Sequence, residues 1–193
     1  MKKIKFIDCG ANIGQSAQWA VETFSNYDVT VDSFEPLPEN FEKLKKKFEN
    51  NEKVRVHESA VTYFDGNVTL YHQDRGALTG GSLVRGKEGL DVNRFIEVKG
   101  IDLAAWLLKN KSADEMVILK IDVEGLEYDL LTHLLNNNIQ SFVDWWLVEF
   151  HQSKIPTKRP GYEENFKRKV KYLVDWGSPG SAKAAMEKLG FVF

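Results

Sequence analysis

The sequence predicts an α/β protein, a doubly wound, mostly parallel sheet with helices on both faces. Three observations predict it. Apolar strand-like runs alternate with amphipathic helical segments. A glycine loop, Gly10-Ala11-Asn12-Ile13-Gly14, follows the first run. Four of the runs end in an acid, Asp8, Glu35, Asp122 and Glu149, on the side where open α/β sheets bind their ligands.

Ile4, Phe6 and Ile7 read as a short buried strand, and Ile13, Ala17, Ala20, Val21 and Phe24 follow at helical spacing. Val29 to Phe34 is a second strand, and after Pro36 a helix buries Phe41, Leu44 and Phe48 while Lys43, Lys45, Lys46 and Lys47 face water. The third strand is Val54 to Glu58, running on into Ser59-Ala60-Val61, with His57 a plain strand residue. Asp65-Gly66-Asn67 signals a turn, Val68 to Tyr71 a strand or hairpin arm, and Arg94 to Val98 another strand. Between them, Gly76 to Gly89 is too rich in glycine for a helix or a good strand: a surface loop or a cover over the site. Asp102 caps a short helix carrying Leu103, Trp106 and Leu107 inward.

Met116 to Ile121 is the continuous apolar run of a central parallel strand covered on both faces. Leu126, Leu130, Leu131, Leu134 and Leu135 make the next helix amphipathic, and Val143 to Val148 is a fifth strand in which Trp145 and Trp146 pack. Phe166, Val170, Leu173 and Val174 mark a helix. Ser178-Pro179 starts another, closed by Gly190, and Phe191-Val192-Phe193 begins one more strand.

With 193 residues and 42% hydrophobic content the chain supports one full-sized core, and one domain over 1–193 is the natural count. A net charge of −2 gives no general pull towards nucleic acid or membrane, and no apolar run approaches the roughly 20 residues that span a bilayer. The opening Met-Lys-Lys runs straight into the first strand, leaving no room for a signal peptide. The single cysteine, Cys9, reads as a packing residue in a reducing, cytoplasmic setting. Charge is uneven. Residues 1–150 carry −7 and residues 151–193 carry +5, a basic tail that is either a solvated helix face or an attraction for a phosphate-bearing substrate.

The loop spacing is Asp-x-Gly-x-x-x-Gly rather than the Gly-x-Gly-x-x-Gly of a dinucleotide site, which argues against a nicotinamide-dependent oxidoreductase. Glu35, twenty-one residues after Gly14 and at the tip of the second strand, is well placed to accept hydrogen bonds from both ribose hydroxyls of an adenosine. The ligand side is then lined by Asp8, Glu35, Asp122, Glu124, Glu149 and His151, an adenosine-type pocket beside a cluster of acids and one imidazole.

These residues resemble the FkbM-type methyltransferases, a class I family using S-adenosylmethionine. The likeness rests on Asp8 to Gly14, Phe34-Glu35-Pro36, Glu58-Ser59-Ala60-Val61, Gly81-Ser82-Leu83, Leu119 to Gly125 and Val148-Glu149, in that order over roughly residues 4–151. It implies a Rossmann-like class I methyltransferase fold and methylation of a hydroxyl on a sugar, glycan or related polyhydroxylated acceptor, with S-adenosylhomocysteine as product. By position, Asp8, Gly10, Asn12 and Gly14, with Ala11, Gln15 and Ser16 around them, would hold the methionine end. Glu35 and Pro36 would lie at the ribose, Ser59 and Ala60 at the adenine, and Asp122 would touch the cofactor while also facing the acceptor with Glu149. Ser82, Glu124 and His151 would face the acceptor.

For that reaction the best single base is His151, with Asp122 and Glu149 able to serve instead or to orient it. A Mg²⁺ on Asp122, Glu124 or Glu149 would also acidify a hydroxyl, but acids at strand ends more often bond directly, so no metal is expected. The family's helix before the first strand and its last antiparallel strand have no residues here, so a partner domain or second copy is expected to complete the sheet. An RNA ribose 2′-O-methyltransferase, suggested by the basic tail, and a non-catalytic cofactor-binding module are the alternatives. The acidic body weighs against nucleic acid.

Overall fold

A computed structural model describes residues 2–72 and 81–193. In chain order its elements are β1 Lys3–Cys9, α1 Gln15–Thr23, β2 Asp28–Phe34, α2 Pro38–Phe48, β3 Val54–His57, β4 Ala60–Thr62, β5 Gly66–Tyr71, β6 Phe95–Asp102, α3 Leu103–Asn110, β7 Glu115–Ile121, α4 Glu127–Asn136, β8 Trp145–Val148, α5 Tyr162–Lys167, β9 Tyr172–Asp175 and α6 Pro179–Lys188. Six strands form the main sheet in the order β3-β2-β1-β7-β8-β9, every pair parallel. A smaller sheet runs β4-β6-β5, parallel across the first pair and antiparallel across the second.

Alternation along the strands divides the apolar side chains between two cores. Ile4 and Phe6 of β1 pack with Ala17 and Ala20 of α1, Leu44 and Phe48 of α2, and Ala182 and Met186 of α6. Ile7 and Cys9 point the other way, to Leu103 and Leu107 of α3, Leu130, Leu131 and Leu134 of α4, and Phe166 of α5. Helices therefore cover both faces, which is why β7 and β8 read as unbroken apolar runs. The order reverses between β1 and β7, and a crevice opens beyond the carboxyl ends of those strands.

Several expectations are met closely. Asp102 caps α3 by accepting from Ala105 N at 3.1 Å, and Ser178 caps α6 with Pro179 at its first position. Asp32, 1% exposed in β2, accepts from Arg55 at 2.7 and 2.9 Å and contacts His57 Nε2 at 2.9 Å. Burial would raise its pKa, but the hydrogen bonds from His57 and Arg55 outweigh it and hold the carboxyl at about 2. His57 is thus a strand residue, stacked on Phe34. In the basic tail, Arg159 pairs with Asp129 and Lys171 with Asp144.

Three expectations are corrected. Ser59-Ala60-Val61 does not continue β3: Ser59 N bonds back to His57 O at 3.0 Å, and Ala60–Thr62 crosses to the smaller sheet beside β6. Leu173 and Val174 are in a strand, not a helix. Phe166, Val170, Leu173 and Val174 fit helical spacing, yet Val174 and Leu173 face opposite cores, as a parallel strand beside β8 requires. That strand, β9, is the sixth of the sheet, so the sixth does not begin at Phe191. Residues 191–193 instead form an aromatic plug, Phe191 lying 5.4 Å from both the Phe24 and the Trp145 rings and Phe193 stacking on Phe24 at 5.6 Å. The expected loop over Gly76 to Gly89 lies partly outside the described residues. Its described part pairs Ser82 with Tyr71 and packs Gly81 on Leu70.

If residues 191–193 are packing rather than pairing, side chains decide their worth. Phe191→Ala should cost about 3 kcal/mol in urea unfolding. Val192→Ser, at a position 76% exposed, should change stability by less than about 0.5 kcal/mol.

Candidate active site

The crevice is floored by the two loops that leave β1 and β7. Gly10 N and Ala11 N both donate to Phe34 O, at 3.1 and 2.9 Å, and Asp122 N donates to Cys9 O at 3.0 Å. The first loop therefore sits between the ends of β2 and β7. Gly10 has φ +84°, and a Cβ there would lie 1.9 Å from the Asp122 carbonyl oxygen, so only glycine fits. Gly14, φ +86°, opens α1 with its bare face against Phe48 and Leu44 of α2. Gly10, Asn12, Phe34, Glu35, Pro36, Ser59, Ala60, Val61, Leu70, Gly81, Leu83, Asp122, Val123, Glu124 and Leu126 bound a cleft of about 580 Å³ including its open mouth, a size that small-molecule sites use.

Glu35 is 5% exposed on the cleft wall, its Oε2 accepting from Asn12 N and its Oε1 from Leu37 N, both at 2.9 Å. Burial pushes its pKa up to about 7 against those two bonds. Beneath the floor lies Lys120, 2% exposed. Its Nζ donates to Gly10 O at 2.7 Å, and it lies 3.2 Å from Asp8 Oδ1, 3.3 Å from Asp122 Oδ2 and 5.6 Å from the Trp176 ring centre. Burial alone would lower its pKa, but Asp8 and Asp122 outweigh it and raise it. Asp8 is fully buried, its second oxygen accepting from Ser16 Oγ at 2.6 Å.

At the far end of the floor Glu124 adopts φ +59°, a left-handed conformation uncommon for a long side chain. Neighbours hold it: Ser82 Oγ donates to its carbonyl at 2.6 Å, and the buried Lys87 ammonium pairs with its carboxylate. His151, 3% exposed, places Nδ1 2.9 Å from Glu127 Oε1, and its Nε2 lies 3.4 Å from Glu124 and 3.5 Å from Glu149. Burial opposes protonation of this ring. The Glu127 hydrogen bond, with the charges of Glu127, Glu124 and Asp122, outweighs it and raises the pKa. Burial, with Asp122 and Glu124 nearby, raises that of Glu149.

Of the residues singled out from sequence, Gly10, Asn12, Glu35, Pro36, Ser59, Ala60, Asp122 and Glu124 share the cleft. Asp8, Ala11, Gly14 and Ser16 are buried beneath its rim, and Gln15 is exposed on α1. Ser82 is buried under the Glu124 carbonyl. His151 and Glu149 lie beside the cleft and meet it at Asp122, the ligand atoms of these three being within 4.8 Å of one another. Among the described residues that trio is a set close enough to share a divalent cation, while the Glu124 carboxylate pairs with Lys87. Burial pushes the Cys9 thiol above its usual range, so Cys9 is an inert packing residue.

Sequence reading missed Lys120, Glu127 and Lys87. Lys120 had a signal, being the one charge inside an apolar central strand, where an ammonium must be paired. Lys87 had none, since its partner is 37 residues away.

A parallel sheet of this order, with an acid-lined cleft where the order reverses, is the architecture of α/β enzymes that bind nucleotide-type cofactors. The Methyltransferase FkbM domain matches residues 8–193. The chain belongs to that methyltransferase family. The crystal structure of methyltransferase FkbM from Methylobacillus flagellatus KT shares the fold, with a TM-score of 0.57 and 14% identity over 88% of this chain and 38% of that one. The present chain thus spans a little over a third of that protein's length. No curated relative matches the sequence. Among the described residues no helix is long and apolar enough to cross a membrane.

Lys120 is the test of how the floor is held. Lys120→Met should destabilise the fold by about 3–5 kcal/mol in denaturant titration, because it strands two carboxylates, Asp8 among them fully buried.

Proposed function

We propose that residues 1–193 act as one S-adenosylmethionine-dependent O-methyltransferase domain. The acceptor is a hydroxyl on a sugar, glycan or related polyhydroxylated molecule. The observation that carries the reading is Glu35, a buried carboxyl fixed by two main-chain amides on the wall of a cleft that also offers an apolar surface. Each carboxylate oxygen keeps acceptor capacity beyond the one amide it holds, which suits a ribose diol. Ala60, Val61, Leu70, Leu83 and Leu126 offer the apolar wall an adenine needs. Gly10 lets the first loop close on the Asp122 carbonyl and so shapes the floor, and with Glu35 and this apolar wall the residues present fit the cofactor.

When bound, S-adenosylmethionine supplies a methyl group on a sulfonium sulfur, and the leaving thioether is neutral, so no acid need assist it. The chain's task is then to align the acceptor and remove its proton. Glu35 binds the ribose, and the main chain at Gly10 to Asn12 lies at the methionine end, with Asp8 acting from below through Lys120 and Ser16. Asp122, at the junction of cleft and acid cluster, orients the hydroxyl. His151 takes the proton on Nε2, and the imidazolium formed is stabilised by Glu127, Glu124 and Glu149. Lys120 supplies the positive charge that Asp122 requires, and the reaction as proposed uses no metal ion. Asp122 and Glu124 on the floor and Glu149 beside it repel a phosphate backbone, which favours a neutral acceptor over RNA. The lone buried thiol suits a cytoplasmic setting.

S-adenosylhomocysteine at about 100 times its dissociation constant should stabilise the protein by roughly 2.7 kcal/mol in thermal unfolding. Glu35→Ala should abolish the shift. No shift from folded wild-type protein would overturn the cofactor assignment.

Two titrations follow, with separate readouts. Ribose hydroxyls donate to an ionised Glu35, so S-adenosylhomocysteine affinity should rise as pH is raised through about 7, and Glu35→Gln should flatten that rise. The unliganded fold responds oppositely. A carboxyl whose folded pKa of about 7 exceeds its ordinary 4.5 contributes stability that is present below 4.5 and lost as pH rises through 7. With cofactor saturating, kcat should climb only above the ordinary histidine value of 6.5, because His151 must lose its proton.

A further inference from the structure

Glu127 has no part in the cleft, yet it is as completely enclosed as Asp8 beneath the floor. Its side chain, 0% exposed, folds back from the first turn of α4 under the loop that follows β7. One oxygen, Oε1, meets three donors: Gly125 N at 3.0 Å, Val123 N at 3.3 Å and His151 Nδ1 at 2.9 Å. An ionised carboxylate only accepts, so the proton of this contact sits on Nδ1. Neutral His151 is thereby left with its lone pair on Nε2. That nitrogen makes no hydrogen bond among the described residues. Its neighbours are Glu124 Oε2 at 3.4 Å and Glu149 Oε1 at 3.5 Å, beside Asp122 of the cleft floor.

The same oxygen also fixes the loop. By binding Gly125 N it secures the turn in which Glu124 takes its left-handed conformation, so the ring and the Glu124 carboxylate share one anchor. Buried among apolar side chains and main chain, such an acid is costly unless its bonds do something that packing cannot.

We propose that Glu127 is the positioning residue of the reaction: it selects the Nδ1–H tautomer of His151 and so presents Nε2, as acceptor, to the acid cluster at the cleft floor. This inference rests on His151 being the base. Glu127 itself touches neither acceptor nor cofactor. In water a neutral imidazole prefers its proton on Nε2, so the selected tautomer is the opposite of the free one and can be read directly.

The test uses the whole chain labelled with ¹⁵N in its four histidine rings, in long-range proton–nitrogen correlation spectra at alkaline pH, with His151→Gln to assign the signal. Wild-type His151 should show a protonated Nδ1 and a bare Nε2, and Glu127→Gln, which keeps the shape but can donate, should lose that pattern. On whichever sugar the wild type methylates best, Glu127→Gln should lower kcat at least tenfold, while KM and S-adenosylhomocysteine affinity change less than twofold. A purely structural role would not produce that split. A proton on wild-type Nε2, or an unchanged tautomer in Glu127→Gln, would overturn the proposal. If Glu127→Gln does not fold, the wild-type tautomer alone decides. The expected tautomer together with no binding of S-adenosylhomocysteine would support Glu127 as the anchor of the ring while removing the methyltransferase reading of the cleft.

Discussion

A single ammonium group ties the ligand side of this fold together. Lys120 is carried into the middle of the sheet by β7, the strand next to β1, and is almost fully buried there. An ammonium so placed is tolerated only where opposite charge and hydrogen-bond acceptors surround it. The Asp8 carboxylate, the Asp122 carboxylate and the Gly10 carbonyl do so. Each belongs to a different part of the site: the tip of β1, the loop after β7 and the glycine loop. Moving any one of them exposes a buried charge, so the floor of the cleft behaves as one body although its segments lie more than a hundred residues apart in sequence.

That rigidity makes the backbone strain at the site affordable. Asn12 and Glu124 both have positive φ, at 51° and 59°, conformations that cost on the order of 1–3 kcal/mol each. Each is locked where it faces the cleft. Asn12 donates its amide to Glu35, and Glu124 is held by Ser82, by Lys87 and, through Gly125, by Glu127. The left-handed turn at Asn12 is what aims its N–H at Glu35 rather than along a helix. Strain, burial and the raised pKa of Glu35 are therefore consequences of one arrangement.

The sequence revealed what is local. The strand, glycine loop and helix at the N-terminus are written in adjacent residues, and so are the acids at strand tips, because a strand end and its loop are contiguous. Eight of the residues chosen for a pocket share one cleft for that reason. What was not legible is pairwise and distant. Lys87 finds Glu124 across 37 residues, and Glu127 finds His151 across 24. β9 failed for a different reason: over four positions a helical and an alternating pattern coincide, and only the neighbouring strand β8 breaks the tie. Ser59 was drawn into β3 because a change of sheet leaves no mark on hydrophobic spacing.

Comparison of two buried acids shows why position, not chemistry, separates framework from function here. Asp32 and Asp8 lie on adjacent strands, both enclosed and both facing cations. Asp32 pairs to Arg55 and His57 on the next strand and to Lys5 on β1, whose ammonium goes on to Asn110 O at the end of α3, a residue that does not line the cleft. Asp8 stands later along its strand, and its partner Lys120 passes the charge on to Gly10 and Asp122, both on the cleft. The same pairing rule that stitches β2 to β3 at one level sets the electrostatics of a binding site a few residues further on, where the strands end and the loops diverge. An acid on this sheet is informative about function when its network reaches the crevice at the strand order's reversal, and Glu127 meets that condition through His151 without itself being visible from the cleft.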